Sequence, residues 1–360
     1  MNPDISVAID LAAGIAGASP YSLAGDDPDF LGGPDDPPAG VTVQEVEVAF
    51  QAAVDPYFRA ELYLAIPNLR GVEVEEGFIT STGLPANLQL KAGIFRSALG
   101  RQNGQHLHLQ DFARRPLINE AYLGADGLRA PGLQLSWLVP TPFFLQLGGE
   151  ALSVGAPEEL AHLATFGGGK RTDLTCTVTA RTFVPFTDDF SLAAGLHSAW
   201  GKTAGVPGEM ADTLVRAGAR TWLTGFDTYF KYKPTNTSES YFSLAWTTEL
   251  FVRQVYGTLP DDAVLVDGGL YSQLVVRLAR RWSLGLRQDF LGLPSSQLQG
   301  RVLRTSFSAT FMPTEFSRIR AYVERETQPE ANAPLFSGSQ NWAGYLQLEI
   351  TMGAHGAHPY

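Results

Sequence analysis

The chain has one cysteine, Cys176, in 360 residues. That excludes an internal disulfide framework and any cysteine-based structural zinc site. Cationic side chains are outnumbered, with 26 Lys and Arg against 37 Asp and Glu and a formal net charge of −11. Nucleic-acid binding needs a basic surface to neutralise phosphates, so nucleic acid is not expected as a partner. No apolar run reaches the roughly 20 residues of a membrane-spanning helix. No basic-then-apolar leader with a small-residue cleavage site opens the chain, where MNPDISVAID already reads as a strand. A signal peptide is therefore expected to be absent from this sequence. No polar linker divides it into ordinary globular domains either.

What fills the chain instead is alternation. QEVEVAFQAAVDPYFRAELYLAI, residues 44–66, sets polar and apolar side chains in turn, bends at Asp55-Pro56, and repeats. Such period-two segments of about ten residues recur along the whole chain, the signature of a transmembrane barrel. They predict about sixteen strands, at 4–16, 41–54, 58–67, 71–83, 88–99, 132–140, 143–154, 173–185, 190–201, 220–233, 241–256, 268–280, 282–291, 302–312, 316–327 and 342–354. Short connections such as Asp55-Pro56-Tyr57 and Pro313-Thr314-Glu315 take turns with long ones at 17–40, 101–131, 155–172, 201–219 and 328–340. An up-and-down barrel sorts its loops this way when both termini sit on the short-turn side. The expected fold is one all-β, antiparallel, porin-like barrel domain spanning 1–360.

One face of the strands is consistently apolar. Val46, Val48 and Phe50, Leu62 and Leu64, Phe307, and Ile319 mark it, with Trp137, Trp200, Trp222, Trp246, Trp282, Trp342, Tyr57, Phe143, Phe144 and Phe316 near strand ends, as interfacial girdles would be. The other face carries charges of both signs: Glu45, Glu47, Glu61, Glu73, Glu75 and Glu349 with Arg59, Lys91, Arg277, Arg287, Arg304, Arg318 and Arg320. Lipid outside and a water-filled, charge-lined lumen inside account for both faces. The charges either set a transverse field across a pore or pair across strands.

VDPYFRAEL, KAGIFRSALGRQNGQHLHLQDFARRPLINEAYLG, FMPTEFSRIRAYVE and the terminal GAHGAHPY resemble a family of Gram-negative porin-like outer-membrane proteins often labelled zinc-regulated TonB-dependent outer-membrane receptors. The resemblance implies an outer-membrane barrel and, through its label, a relation to zinc and metal uptake. A TonB-dependent receptor also carries an N-terminal plug and a much larger barrel, whereas the first strand here begins at once.

The expected function is passive diffusion of small hydrophilic solutes or ions through the outer membrane. The alternatives are a structural barrel that docks a partner protein, or an outer-membrane enzyme. An enzyme is not expected, because His197 and Ser191 stand on one strand without a G-x-S-x-G turn. Expected partners are membrane lipid and lipopolysaccharide, and the barrel-assembly machinery, which would read the aromatic terminus Tyr360. A homo-oligomer stays open.

His106 and His108, at i and i+2 in the 101–131 segment, can share one metal with Asp111 adding an oxygen, or can simply bond loop to wall. His355 and His358 are spaced like a second metal pair, with barrel closure or assembly as the other reading. Asp26, Asp27, Asp29, Asp35 and Asp36 crowd the first long loop, where they hold Ca²⁺ or only attract cations to the mouth. The 101–131 segment is too long for a simple turn and is expected to fold inward and narrow the channel.

Overall fold

The computed structural model describes residues 3–16, 40–69, 71–124, 126–155, 165–167, 172–203, 215, 218–236, 241–258, 263–294, 300–329 and 339–353. Among them run β1 (Asp4–Ala16), β2 (Gly40–Ala53), β3 (Phe58–Pro67), β4 (Glu73–Ser81), β5 (Leu88–Arg96), α1 (Leu117–Leu123), β6 (Arg129–Leu138), β7 (Phe144–Leu152), β8 (Thr175–Pro185), β9 (Phe190–Lys202), β10 (Arg220–Tyr232), β11 (Ser243–Thr258), β12 (Ala263–Ala279), β13 (Trp282–Leu291), β14 (Val302–Thr314), β15 (Ser317–Gln328) and β16 (Ser339–Gly353). Each strand pairs antiparallel with its sequence neighbours, and β1 pairs with β16 to close the barrel. Closure leaves no unpaired edge, which a sheet in hydrocarbon could not tolerate.

Register rows join the apolar positions of successive strands into bands. Val7, Val48, Leu64 and Val74 form one row across β1 to β4, and Leu286, Phe307 and Val323 another across β13 to β15. Leu286, Phe307, Val323 and Val74 are exposed large hydrophobics. All ten aromatics expected in the girdles are exposed as well. A continuous exposed apolar band of this kind is stable only against lipid. The start of β1 and the end of β16 pair at Ser6 and Gly353, on the same rim as the short turns.

Strand limits differ from the expected ones where side chains other than the alternating set decide them. β5 ends at Arg96 instead of 99, with the Ser97 amide still bonding Leu128 O, the next position in register, at 2.8 Å. β6 begins at Arg129 instead of 132: Pro131 donates nothing, but its carbonyl accepts the Ser153 amide at 2.8 Å. β12 begins at Ala263 and β16 at Ser339, each earlier than the pattern suggested.

Among the described residues the register shifts at five strand pairs, and two of these bulges bear on the site. Between β1 and β2 the register slips so that Gln44 is the extra residue. Between β3 and β4, Tyr63 pairs with Glu76 and Leu64 with Val74, leaving Glu75 extra. A bulge inserts one unpaired residue and re-aims its neighbours. Here it buries both Glu75 and Glu76 inside the barrel, where alternation alone would have sent one of them to lipid.

Candidate functional site: the lumen and its infolded loop

The chain between β5 and β6 turns into the barrel. Its two ends are held together by Asn103, which is fully buried: Nδ2 donates to Ser97 O at 2.7 Å and to Leu128 O at 3.0 Å, and Oδ1 accepts the Leu128 amide at 2.7 Å. Wall carboxylates then catch the descending backbone. Glu150 accepts the Ala98 amide at 2.8 Å and Glu249 the Arg101 amide at 2.8 Å. From the wall, Arg181 donates to Ala98 O and Gly100 O at 2.6 and 2.7 Å. Loop backbone that leaves water must find such partners. At Gly100, φ +76°, the chain presses close to the wall, since a Cβ would stand 2.2 Å from Glu249 Oε1.

On the β13–β15 side the arginine ladder does the same work. Arg287 donates to Arg114 O at 2.8 Å, Arg320 to Gln110 O at 2.7 Å, and Arg318 to Gln110 O at 3.1 Å and to His108 O. Arg304 pairs with Glu120 at 3.0 Å and Glu326 at 3.1 Å, while loop residue Arg114 pairs with Glu324 at 2.7 Å. α1 starts after Pro116, which has no side chain to cap it, so Asp289 accepts the Leu117 amide at 2.9 Å. The carboxylate thus meets the positive end of a short helix.

This corrects the expected water-lined lumen. Arg287, Arg304, Arg320, Glu47, Glu75 and Glu349 face inward but lie buried under the loop, not on open water. Arg318 pairs with Glu349 on the neighbouring strand, an instance of the cross-strand pairing that was the other reading of these charges. Nor is the inner face uniformly polar. Leu99, Leu117, Ile118, Tyr122 and Leu123 of the loop and α1 join inward-facing Phe95, Leu152, Leu223, Phe251, Tyr271 and Leu291 in an apolar core inside the barrel. A polar wall at one level and an apolar one at another fit a loop that is itself amphipathic.

Toward the short-turn rim the inner face stays accessible. Arg59 is 48% exposed beside Glu61 at 3.2 Å, and Lys91, Lys231 and Arg277 are half-buried. Arg101, 26% exposed, stacks 4.0 Å over the Tyr229 ring and lies 3.8 Å from Asp227. Asp111 is exposed, and its electrostatic partners are Arg318, Arg320, Lys231 and Arg277.

A separate cluster forms where the loop crosses β2–β4. His106 Nδ1 lies 2.8 Å from Glu47 Oε2 and 3.2 Å from Glu75 Oε2, and its Nε2 is 2.9 Å from Glu76 Oε1. His108 Nδ1 is 3.6 Å from Glu47 Oε2, Arg96 pairs with Glu75, and the Tyr63 ring packs 4.7 Å from the His106 ring. Burial by itself would lower the pKa of His106, but the carboxylates of Glu47 and Glu75 raise it well above the usual imidazole value. Glu45 is half-buried beside this group, and Glu73 is exposed at the long-loop side. Two sets of side chains offer converging ligand atoms: Glu47, Glu75 and His106, and Glu45, Glu47 and His108.

Asp111 belongs to neither set, a second correction, because the loop turns it toward the arginines. His355, His358 and the aspartates at 26–36 lie outside the described residues. Sequence reasoning missed Glu76, Arg96 and Asn103. The pair Glu75-Glu76 in an otherwise alternating strand was the available sign of a bulge. His197 bonds Asp227, whereas Ser191 is six residues away on the same strand, about 20 Å at the usual rise.

No family model matches the chain. Solved structures similar to it are the in-vitro folded trimer form of OmpT, an outer-membrane protein of Vibrio cholerae (TM-score 0.61, 10% identity, 97% of this chain and 99% of that one), and an anion-selective porin from Comamonas acidovorans (0.60, 9%, 97% and 99%). The outer-membrane channel DcaP of Acinetobacter baumannii is similar too (0.57, 10%, 98% and 96%). At these identities the likeness is one of fold, and it agrees with a closed porin-like barrel. In sequence, an uncharacterized protein of Aquifex aeolicus (strain VF5) is 32% identical over 349 aligned positions, covering 89% of this chain and 70% of that protein. With that identity over most of both lengths, the chain belongs to the same family as the Aquifex aeolicus protein.

Proposed function

We propose that this protein is a porin-like channel of a Gram-negative outer membrane, through which small hydrophilic solutes diffuse passively past the infolded loop. The observation that carries the reading is the pairing of an exposed apolar outer band with charged, solvent-exposed groups inside the same closed barrel. Lipid accounts for the first and water for the second. The accessible groups Arg59, Glu61, Lys91, Arg101, Asp111, Lys231 and Arg277 include both signs, so the passage favours polar solutes over apolar ones without excluding either charge.

Conductance of the purified barrel in a planar lipid bilayer tests this. Wild-type protein should insert and conduct in discrete steps. Deleting residues 105–115 removes the loop's crossing of the lumen and should raise the unit conductance severalfold. A wild-type barrel that inserts without conducting refutes the channel reading, and a deletion that folds and leaves conductance unchanged refutes the loop as its constriction.

A further inference from the structure

We infer that Glu47, Glu75 and His106 form a binding site for a divalent first-row transition-metal ion such as Zn²⁺, with Glu76 as the group that orients the imidazole. The three ligand atoms lie within 4.8 Å of one another, and all three residues are more than nine-tenths buried. Nδ1 faces two carboxylate oxygens and has one proton to give. It bonds Glu75, and buried Glu47 Oε2, although 2.8 Å from Nδ1, has no aligned hydrogen bond. A cation in place of that proton engages all three atoms together. Bonds of about 2.0–2.2 Å to N and O ligands put tetrahedral neighbours ~3.3 Å apart. The present 2.8 and 3.2 Å separations from Nδ1 reach that with a shift of a few tenths of an ångström.

The far side of the ring supports the same reading. Nε2 is 2.9 Å from Glu76 Oε1, so the ring donates there, and once an ion displaces the Nδ1 proton the Nδ1 lone pair faces that ion. That is the carboxylate–histidine–metal arrangement which fixes tautomer and ring plane at metal sites. The β4 bulge alone makes it possible, by turning Glu75 and Glu76 inward together. Charge points the same way: Glu45, Glu47, Glu75 and Glu76 crowd one region, in which Arg96 pairs with Glu75. An imidazole among the ligands selects Zn²⁺ over Ca²⁺ or Mg²⁺, which prefer oxygen. Glu73 pairs in register with Ala65, which also pairs with Glu47, so an exposed carboxylate stands on the approach from the long-loop side.

The test is calorimetric titration of ZnCl₂ into the folded, chelator-treated barrel in detergent, where no current is measured and the channel reading is not engaged. Wild type and the tail variant His355→Gln/His358→Gln should each bind one equivalent that a large excess of Ca²⁺ does not displace. His106→Gln should weaken that equivalent at least 100-fold. Glu76→Gln, which leaves every ligand in place, should weaken it roughly 10- to 100-fold. If His106→Gln does not fold, as judged by heat-modifiable gel migration, Glu47→Gln serves for the same readout. Absence of stoichiometric binding, or binding that survives both His106→Gln and Glu47→Gln, overturns the inference.

Discussion

Asn103→Ala should release the infolded loop while leaving the barrel standing. The side chain makes three neutral hydrogen bonds, at 2.7, 3.0 and 2.7 Å, that tie the loop's two ends. Leu128 O keeps the Ser97 amide at 2.8 Å, so the groups that lose these bonds outright are Ser97 O and the Leu128 amide. At about 1 kcal/mol net per bond the cost is ~3 kcal/mol, more if the orphaned groups stay dry. At ~1.4 kcal/mol per tenfold, that raises the undocked population roughly 100-fold. None of the three bonds belongs to the strand ladder, so the loss is local. Hydrogen exchange read by mass spectrometry in detergent checks it. Peptides covering 97–128 should exchange roughly 100-fold faster, and those from β10 to β15 at their wild-type rate. Unchanged protection of the loop would refute the stapling role. Equal loss across loop and strands would show that the loop does not open as a separate unit.

Val48→Arg, on the outward row with Leu64 and Val74, should destabilise the barrel by about 2–4 kcal/mol if it lies at mid-membrane, as read by reversible urea unfolding in lipid; a cost near zero would place it near the headgroups or inside. Glu47→Arg should also impair folding, because Glu47 is covered by the two histidines; a well-folded variant with altered ion selectivity alone would contradict that packing. Gly285→Val should push Ser308 Oγ and the Phe112 ring, 2.5 and 2.9 Å from where a Cβ would be, at a cost of about 1–3 kcal/mol seen as loosened loop protection; an unperturbed loop would show that both side chains have room to move. Asp289→Ala strips Arg287 of its 2.9 Å partner and α1 of its cap, and should destabilise by about 3–5 kcal/mol in the same urea assay; a neutral outcome would mean water replaces the carboxylate.

Alternation and loop length, both local properties, were enough to place sixteen strands, their up-and-down order and the rim that holds both ends of the sheet. A period of two with one apolar set leaves little freedom, since a one-residue slip would send every charge into lipid. Inward folding of the segment after β5 was also legible, from its length. What fills the lumen was not. The same sequence of inward residues suits a wet wall or a covered one, and the choice fell to contacts such as Arg114 with Glu324, Arg304 with Glu120 and Asn103 with Ser97, which join positions far apart in the chain. Glu76 shows the limit most clearly. Alternation assigned that position to lipid, and only the register slip between β3 and β4, set by how Tyr63 and Leu64 pair across the strands, turned it inward against His106. Local chemistry determined which residues line the sheet and where the chain turns, and tertiary packing decided which charges meet water and which meet one another.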